Sequence, residues 1–203
     1  MEQIFYKKNL NTHICVWKMT SSYKNQIKSH LLNLDELTSA KELKNEKRKK
    51  EFISSRIALK KIFNKELELK HHKSGRPFIK EAKHLSISHS SNFLALAYGD
   101  ENIGIDIEKP QNRMVKLMPK ILSELELMEF KKKPSIDLAC KLWGAKEAIL
   151  KYVGEKKLNY KEDIKAENIQ LGIATYLKMN FQVEFEKIEN MILTYVVRSN
   201  KTK

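Results

Sequence analysis

IGIDIEK, at residues 103–109, alternates apolar and polar residues and decides how the rest of the chain is interpreted. A period of two predicts a β-strand whose isoleucines share one face, with Asp106 and Glu108 on the other. The two carboxylates therefore point in the same direction. On its own, this pattern is also typical of a solvated strand end.

A second segment, WGAKEAILK at residues 143–151, has helical spacing. Trp143, Glu147 and Lys151 recur every four residues, so they share one helical face beside an apolar stripe. Such a run is also typical of an exposed helix held by its own ion pairs. Together, however, the strand and the helix supply three carboxylates and an ammonium group. Oxygen ligands of this kind suit magnesium and substrate phosphates, and the lysine suits phosphate chemistry.

Composition narrows the class of protein. The chain has 203 residues, of which 41% are hydrophobic and 32% charged, which is typical of a globular protein with a sizeable core. We find neither a signal-peptide layout nor an apolar run of the roughly 18 residues that span a bilayer, so we expect a cytoplasmic protein without a membrane partner.

Cys15 and Cys140 lack metal-ligand spacing and predict reduced thiols. The formal net charge of +14 predicts anionic partners without distinguishing among them.

Periodicity, capping residues and turn residues predict the remaining elements. In the first half we expect a strand at 13–19, a helix at 21–34, a basic helix capped by Ser39 and Glu42, a turn at 73–79, and two strands joined by a polar turn between 85 and 100. The inward-facing residues of the basic helix are predicted to be Phe52, Ile53, Ile57, Phe63 and Leu67. In the second half we expect a strand at 103–108 paired with the strand before it, a loop at 110–119, a helix capped by Ser123 and Glu126, a helix at 135–153 ended by Gly154, and strands at 171–179, 181–186 and 191–197.

A faint internal repeat relates the two halves of the chain. RIALKK at 56–61 parallels KEAILK at 146–151, and each half runs from a helix into a hairpin. We therefore expect an α+β fold of two similar lobes, each a small and mostly antiparallel sheet packed on a long helix, with a cleft between them. The predicted lobes are residues 1–102 and 103–203.

Further polar residues are candidates for an anionic ligand. Arg76 lies at a rigid Gly-Arg-Pro turn, from which a guanidinium can form a forked contact with phosphate. His89 lies among hydroxyls and an amide in the predicted polar turn. Each also has an ordinary explanation, as a surface arginine or a structural histidine. Arg56 differs from the other cations of the basic helix because it sits beside the apolar stripe.

Four motifs occur in order along the chain: GRP at 75–77, ISHS at 87–90, GIDIE at 104–108, and WGAKEA at 143–148 followed by Lys151. Together they resemble the 4′-phosphopantetheinyl transferases of the surfactin-synthetase (Sfp) type. Two positions depart from the family. Arg76 stands where lysine is common, and Gly144 stands where Ser, Thr or Cys is usual, which leaves local packing or a hydroxyl contact open.

The resemblance implies an activity and a set of partners. Enzymes of this type transfer 4′-phosphopantetheine from coenzyme A to a serine hydroxyl of an acyl or peptidyl carrier protein, require magnesium, and release adenosine 3′,5′-bisphosphate. The resemblance also implies two lobes related by a pseudo-two-fold axis, with coenzyme A in the cleft, and activity as a monomer. The pathway, whether fatty acid, polyketide or peptide synthesis, stays open.

The same resemblance implies roles for the acids and the lysine. Asp106, Glu108 and Glu147 would hold magnesium against the diphosphate of coenzyme A, and Lys151 would assist the departing phosphate. Glu147 would act as general base toward the carrier serine. Because a carboxylate bound to a dication is a weakened base, the proton acceptor stays open between Glu147, a magnesium-bound water and Glu108.

The nucleotide end of coenzyme A is assigned by resemblance as well. Arg76, Ser88 and His89 match positions that bind it, and we assign Arg76 and His89 to the 3′-phosphate. Arg56 and Lys146 are secondary candidates for the same ligand.

Two other functions fit parts of the sequence. A magnesium-dependent nuclease would use Asp106 with the EFK element at 129–131, but such sites usually place that element on a strand, and here it lies in a predicted helix. A basic nucleic-acid-binding module would need exposed aromatics interleaved with arginine, whereas the aromatics here follow core positions. We therefore expect no nucleic-acid partner.

Overall fold

Two antiparallel sheets and six helices form an α+β fold in the computed structural model, which describes residues 1–9, 11–155 and 158–198. The elements of the first half are β1 (Glu2–Asn9), β2 (Thr12–Lys18), α1 (Tyr23–Gln26), α2 (Leu34–Glu42), α3 (Glu46–Phe63), β3 (Lys70–His71), β4 (Pro77–Phe78), β5 (His84–Ser90) and β6 (Phe93–Gly99). Those of the second half are β7 (Gly104–Glu108), α4 (Asn112–Ile121), α5 (Glu124–Lys132), α6 (Ile136–Val153), β8 (Ile164–Asn168), β9 (Ile173–Tyr176), β10 (Met179–Ile188) and β11 (Met191–Arg198). β3 and β4 form a separate short hairpin.

The first sheet has the strand order β1-β2-β6-β5, and its inner strands β2 and β6 are buried on both faces. Alternate residues of β2 show why: Ile14 and Val16 face the second sheet, while Cys15 and Trp17 pack with α3 residues. A strand that is covered on both faces is apolar at nearly every position, as the sequence FLALA of β6 illustrates.

The second sheet has the strand order β7-β11-β10-β9-β8. The β7 isoleucines face the first sheet, whereas the opposite face of this second sheet packs on Ala145, Ala148 and Ile149 of α6. Gly104 permits this packing, since a Cβ there would lie 1.8 Å from the carbonyl oxygen of Ala148. The two sheets therefore lie face to face, with α3 and α6 on their outer sides.

Several predicted elements are confirmed. β7 occupies the predicted strand, and α6 matches the predicted helix, with Ser135 as its N-cap and Gly154 in the left-handed region (φ 74°) at its end. The capping box of Ser123 and Glu126 is present at the start of α5. The α+β class is also confirmed, whereas the division at residues 102 and 103 and the pseudo-two-fold relation stay predictions.

Other predicted elements are wrong, each for a local reason. The helix expected at 21–34 ends at Gln26, because the apolar spacing beyond it reflects packing against α3 rather than a continuous helix. α3 begins after Asn45 instead of at the Ser39–Glu42 box, since the Asn45 side chain accepts from the backbone of Lys47 and Arg48. It ends at Phe63, so Leu67 is buried beyond the helix.

Two further corrections concern the neighbourhood of β7. Residues 110–119, which the prolines indicated as a loop, form most of α4, because Met114, Met118 and Ile121 have helical spacing and are buried together. β7 itself pairs with β11, not with the preceding β6, so it belongs to the second sheet. β1 and β8 were not predicted.

No helix within the described part of the chain is both long enough and apolar enough to cross a bilayer.

Candidate active site

A row of serines on β5, which we call the serine row (Ser86, Ser88 and Ser90), joins the edges of the two sheets. These alternate residues share one face of β5 and reach across to β7. The hydrogen bonds run from Ile105 N to Ser86 Oγ (3.1 Å), from Ile107 N to Ser88 Oγ (3.3 Å), from Ser88 Oγ to Asp106 Oδ1 (2.7 Å) and from Ser90 Oγ to Glu108 Oε2 (2.8 Å).

The serine row fixes the two acids of β7. Ser88, whose contact with the nucleotide end of coenzyme A stays a prediction, lies within β5, is buried, and uses its hydroxyl to hold Asp106 and the backbone of Ile107. Ser88 is therefore a structural partner of Asp106. The turn itself is confined to the two residues between β5 and β6.

Helix α6 brings its own functional groups to the same place. Lys151 Nζ donates to Asp106 Oδ1 at 2.7 Å, which ties the helix to β7. One turn earlier, Glu147 Oε1 accepts a hydrogen bond of 2.5 Å from the hydroxyl of Tyr160. The close approach at Gly104 places this helical face over the polar face of β7. Asp106, Glu108, Glu147 and Lys151 therefore form one cluster, which we call the acid cluster.

The electrostatics of the acid cluster favour a cation. Burial raises the pKa of Glu108 and of Glu147 above the usual value, and the negative charge of Asp106 raises both further. The hydrogen bond from Tyr160 acts in the other direction and lowers the pKa of Glu147. Burial and the contact with Glu147 raise the pKa of Tyr160 itself, so its phenol keeps its proton. A bound dication would relieve the repulsion among these acids.

The donor set fits a magnesium ion that is completed by a ligand. Within the described ranges, no three His, Cys, Asp or Glu side chains are already arranged to hold a metal, so the structure does not assemble the predicted ligand set of Asp106, Glu108 and Glu147. However, among those same residues the buried Asp106 Oδ2 has no hydrogen-bond partner, and Glu108 lies two residues along the same face. Magnesium commonly takes one or two carboxylates together with water and substrate phosphates. Asp106 and Glu108 match that requirement.

A cleft of about 610 Å³ opens beside the acid cluster. Its lining includes Ser90 and Arg113, which contact Glu108 at 2.8 and 3.9 Å, and the side chains of Lys47 and Lys50. Pockets that hold drug-sized ligands typically measure about 300–1,000 Å³. The lining also includes Glu46 and Glu51, the second of which pairs with Lys47 at 3.8 Å. The cleft therefore has the size to hold part of a phosphate-bearing ligand, with Lys50 and Arg113 as its cations without a partner in that acidic pair.

Arg76 and His89, which were predicted to share one phosphate, lie at opposite ends of β5. Arg76 contacts Asn102 and, at 3.4 Å, His84 at the start of the strand, whereas His89 Nε2 contacts Ser55 Oγ at 2.9 Å near its end. Five residues of strand separate the two histidines by about 17 Å. Burial and the charge of Lys151 lower the pKa of His89 to about 3, so its ring is neutral at physiological pH. The two side chains therefore do not meet in this structure, and their shared contact with the 3′-phosphate stays a prediction.

Lys146, a secondary ligand candidate, is a structural residue. It is fully buried and donates to Tyr160 O at 2.7 Å and Ile164 O at 2.5 Å, and it pairs with Glu126 at 2.9 Å. Burial lowers the pKa of Lys146, and the charge of Glu126 opposes that shift. Lys146 therefore ties α5 and the start of β8 to α6 instead of reaching a ligand.

Arg56 lies in a different cleft from the acid cluster. Its guanidinium stacks on the ring of Phe52 at 3.3 Å and lies 3.8 Å from Glu36. The cleft around it measures about 690 Å³ and also includes Phe78, two residues after Arg76. Contact of Arg56 with coenzyme A stays a prediction.

The EFK element of the nuclease alternative lies on α5 and apart from the acids. Phe130 is buried there, and the exposed Glu129 pairs with Lys132 at 2.5 Å on the surface of the same helix. This geometry is typical of a solvated helical face, so the element offers nothing to a site at Asp106.

Two residues of this region escaped the sequence analysis. Tyr160 carries no local signal, since it lies in an irregular segment and meets Glu147 only in the folded chain. Thr194 lies opposite Asp106 on β11, and a Cβ on Gly144 would lie 2.6 Å from its Oγ1. Thr194 therefore fills the space that a side chain at position 144 would need, which settles the packing question that Gly144 raised.

Comparison with known proteins finds similarity to 4′-phosphopantetheinyl transferases. Residues 102–190, which include the whole acid cluster and Tyr160, match the family model of the 4′-phosphopantetheinyl transferase superfamily. A curated relative, the 4′-phosphopantetheinyl transferase gsp of Aneurinibacillus migulanus, is 26% identical over 102 residues. That match covers 49% of this chain and 43% of the relative, so it spans less than half of the relative's length.

Proposed function

We propose that this chain transfers 4′-phosphopantetheine from coenzyme A to a serine of an acyl or peptidyl carrier protein, as enzymes of the surfactin-synthetase type do. The reaction depends on magnesium and releases adenosine 3′,5′-bisphosphate. The observation that carries the proposal is the acid cluster, which combines two carboxylates of β7 with a carboxylate and a lysine of α6 inside the segment similar to the superfamily.

In this proposal each residue of the acid cluster has a defined task. Asp106 and Glu108 hold the magnesium ion with the diphosphate oxygens, and Glu147 faces the same site from α6. The ion, when bound, polarises the phosphorus and neutralises charge on the leaving phosphate. Lys151, which contacts Asp106 at 2.7 Å, lies close enough to donate to a phosphate oxygen beside it. Glu147 accepts the proton of the carrier serine.

The surroundings of the acid cluster suit both substrates. Lys47, Lys50 and Arg113 line the adjoining cleft and would contact phosphate oxygens of coenzyme A. The net charge of +14 favours encounter with acidic carrier proteins. We place carrier docking at residues 110–130, where Leu125 is 77% exposed on α5. Activity as a monomer and a cytoplasmic location belong to the same proposal.

The test is an intact mass measurement of an apo-carrier protein after incubation with coenzyme A, magnesium and this chain. We expect the carrier to gain the mass of one phosphopantetheine group. Excess EDTA should abolish the gain and Glu147→Gln should reduce it to a small residual transfer, while Asp137→Asn, an exposed acid on the same helix, should leave it intact. Absence of the mass gain with both acyl and peptidyl carriers would contradict the proposal.

A further inference from the structure

Tyr160 holds the carboxylate of Glu147 by one oxygen only. Its hydroxyl donates to Oε1 at 2.5 Å, and this bond joins a residue of the segment after α6 back to the middle of that helix. Without such a bond, a glutamate side chain can rotate about several torsions, and binding in one rotamer must overcome that freedom. The hydrogen bond therefore fixes which carboxylate oxygen remains for other contacts.

Tyr160 is itself held by α6 from several directions. Its ring stacks on Trp143, with ring centres 5.9 Å apart and planes inclined by 19°. Its backbone carbonyl accepts from Lys146 Nζ at 2.7 Å. Trp143, Lys146 and Glu147 thus contact the ring, the backbone and the hydroxyl of one residue. Because ring and backbone are both anchored, the hydroxyl has little freedom to leave Glu147.

The anchoring extends to the neighbouring elements. Lys146 pairs with Glu126, which is the residue that closes the capping box of α5 and also accepts from the backbone of Ala166 in β8. The position of Tyr160 is therefore determined by three elements rather than by its own segment. Functional groups that are supported in this way keep the geometry that a reaction needs.

We propose that Tyr160 is a positioning residue of the transfer reaction, which holds Glu147 through Oε1 so that Oε2 meets the hydroxyl of the carrier serine. This inference rests on the proposed function. The serine oxygen forms a bond to the phosphorus that carries pantetheine, and the bond from that phosphorus to the bridging diphosphate oxygen breaks. Adenosine 3′,5′-bisphosphate leaves with the electron pair, and the serine proton passes to Oε2 of Glu147.

The first test is Tyr160→Phe, which keeps the ring on Trp143 and removes only the hydroxyl. We expect kcat to fall by about tenfold or more, since misplacing a catalytic group is costly, while KM for coenzyme A changes less than about twofold. Tyr176→Phe is the matched control, because it removes a phenol that donates to Glu155 at 3.1 Å, outside the acid cluster. That variant should retain the wild-type kcat.

A double-mutant cycle distinguishes positioning from a general structural effect. In a Glu147→Ala background, Tyr160→Phe should cause no further loss of residual transfer, because it acts through Glu147. Urea unfolding of the same four proteins should show non-additive shifts of the midpoint. Additive shifts would overturn the contact, and if Tyr160→Phe alone fails to fold, the cycle is run with Tyr160→His.

The outcomes separate this inference from the proposed function. If the wild type transfers phosphopantetheine and Tyr160→Phe matches it in kcat, the inference is overturned and the function stands. If KM rises while kcat is kept, Tyr160 acts in substrate binding and the inference is overturned as well. If the wild type transfers nothing to any carrier, both are overturned.

Discussion

Gly144 and Thr194 are matched to each other across α6 and β11. Thr194 is buried, and its hydroxyl has no hydrogen-bond partner in the part of the chain that the structure describes. A Cβ on Gly144 would lie 2.6 Å from that hydroxyl and 3.2 Å from the Cβ of Thr194. Threonine is stiff at χ1, so it cannot simply turn away. The glycine therefore follows from the residue opposite rather than from any demand on the backbone of α6.

We predict that Gly144→Ala destabilises this chain although alanine is the better helix former. Alanine gains about 1 kcal/mol in a helix interior, whereas overpacking costs about 1–3 kcal/mol, so the net loss should be at most about 2 kcal/mol. In a Thr194→Ala background, which removes Oγ1, the same change should be neutral or stabilising by up to about 1 kcal/mol. Urea unfolding of the four proteins measures both effects.

The matched control for this pair is Thr194→Val, which keeps the branched shape and removes the hydroxyl. Gly144→Ala should remain destabilising in that background, because the methyl group occupies the space of Oγ1. An equal cost of Gly144→Ala in all three backgrounds would contradict the packing explanation.

Among the elements, β7 and α6 were predictable because each displays its period over its whole length. Asp106 and Glu108 alternate with isoleucines, and Glu147 precedes Lys151 by one turn. The helix expected at 21–34 has similar apolar spacing, yet it ends at Gln26, since Tyr23, Ile27 and Leu31 pack on α3 without a continuous helix between them and Leu34 is exposed. Local periodicity thus predicts which residues are buried more safely than it predicts the element that carries them.

Lys146 illustrates what an element-scale contact contributes. Lys146→Met preserves the length of the side chain but leaves the Glu126 carboxylate and two carbonyl groups without their buried partner. Breaking a buried pair in this way typically costs about 3–5 kcal/mol, so we expect a loss of that size in urea unfolding.

Lys141→Met on the same helix is the control for this prediction. Lys141 pairs with Asp137 at 3.2 Å, and both side chains are partly exposed, so the expected cost is at most about 1 kcal/mol. Equal losses for the two variants would contradict a structural role for Lys146 and reopen its assignment as a ligand contact.

For the whole molecule, the sequence predicts the content of the site better than its assembly. Local periods predict that Asp106 and Glu108 lie on one face of the strand, and that Glu147 and Lys151 lie on one face of the helix. The two pairs meet because of long-range packing. β7 pairs with β11, and Gly104 lets α6 approach β7. Tyr160 could not be found from the sequence, because its position depends on contacts with Trp143 and Lys146.

For Ser88 and Ser90 too, the role of the side chain depends on tertiary contacts that the sequence does not show. Their hydroxyls were expected in a polar turn as donors to an anionic ligand, but a donor can serve a ligand or its own protein. Ser88 and Ser90 donate to Asp106 and Glu108, and thereby hold the edges of the two sheets together. Only the tertiary structure distinguishes those two uses.

The central claim is that Asp106 and Glu108 hold a divalent ion together with the diphosphate of coenzyme A. The most direct test is titration with Mn²⁺, followed by electron paramagnetic resonance, with and without coenzyme A. Because the acids alone offer only part of a coordination shell, we predict one ion per chain that binds much more tightly with coenzyme A present, and whose binding is lost in Asp106→Asn. Binding that is the same without coenzyme A, or unchanged in Asp106→Asn, would contradict the account.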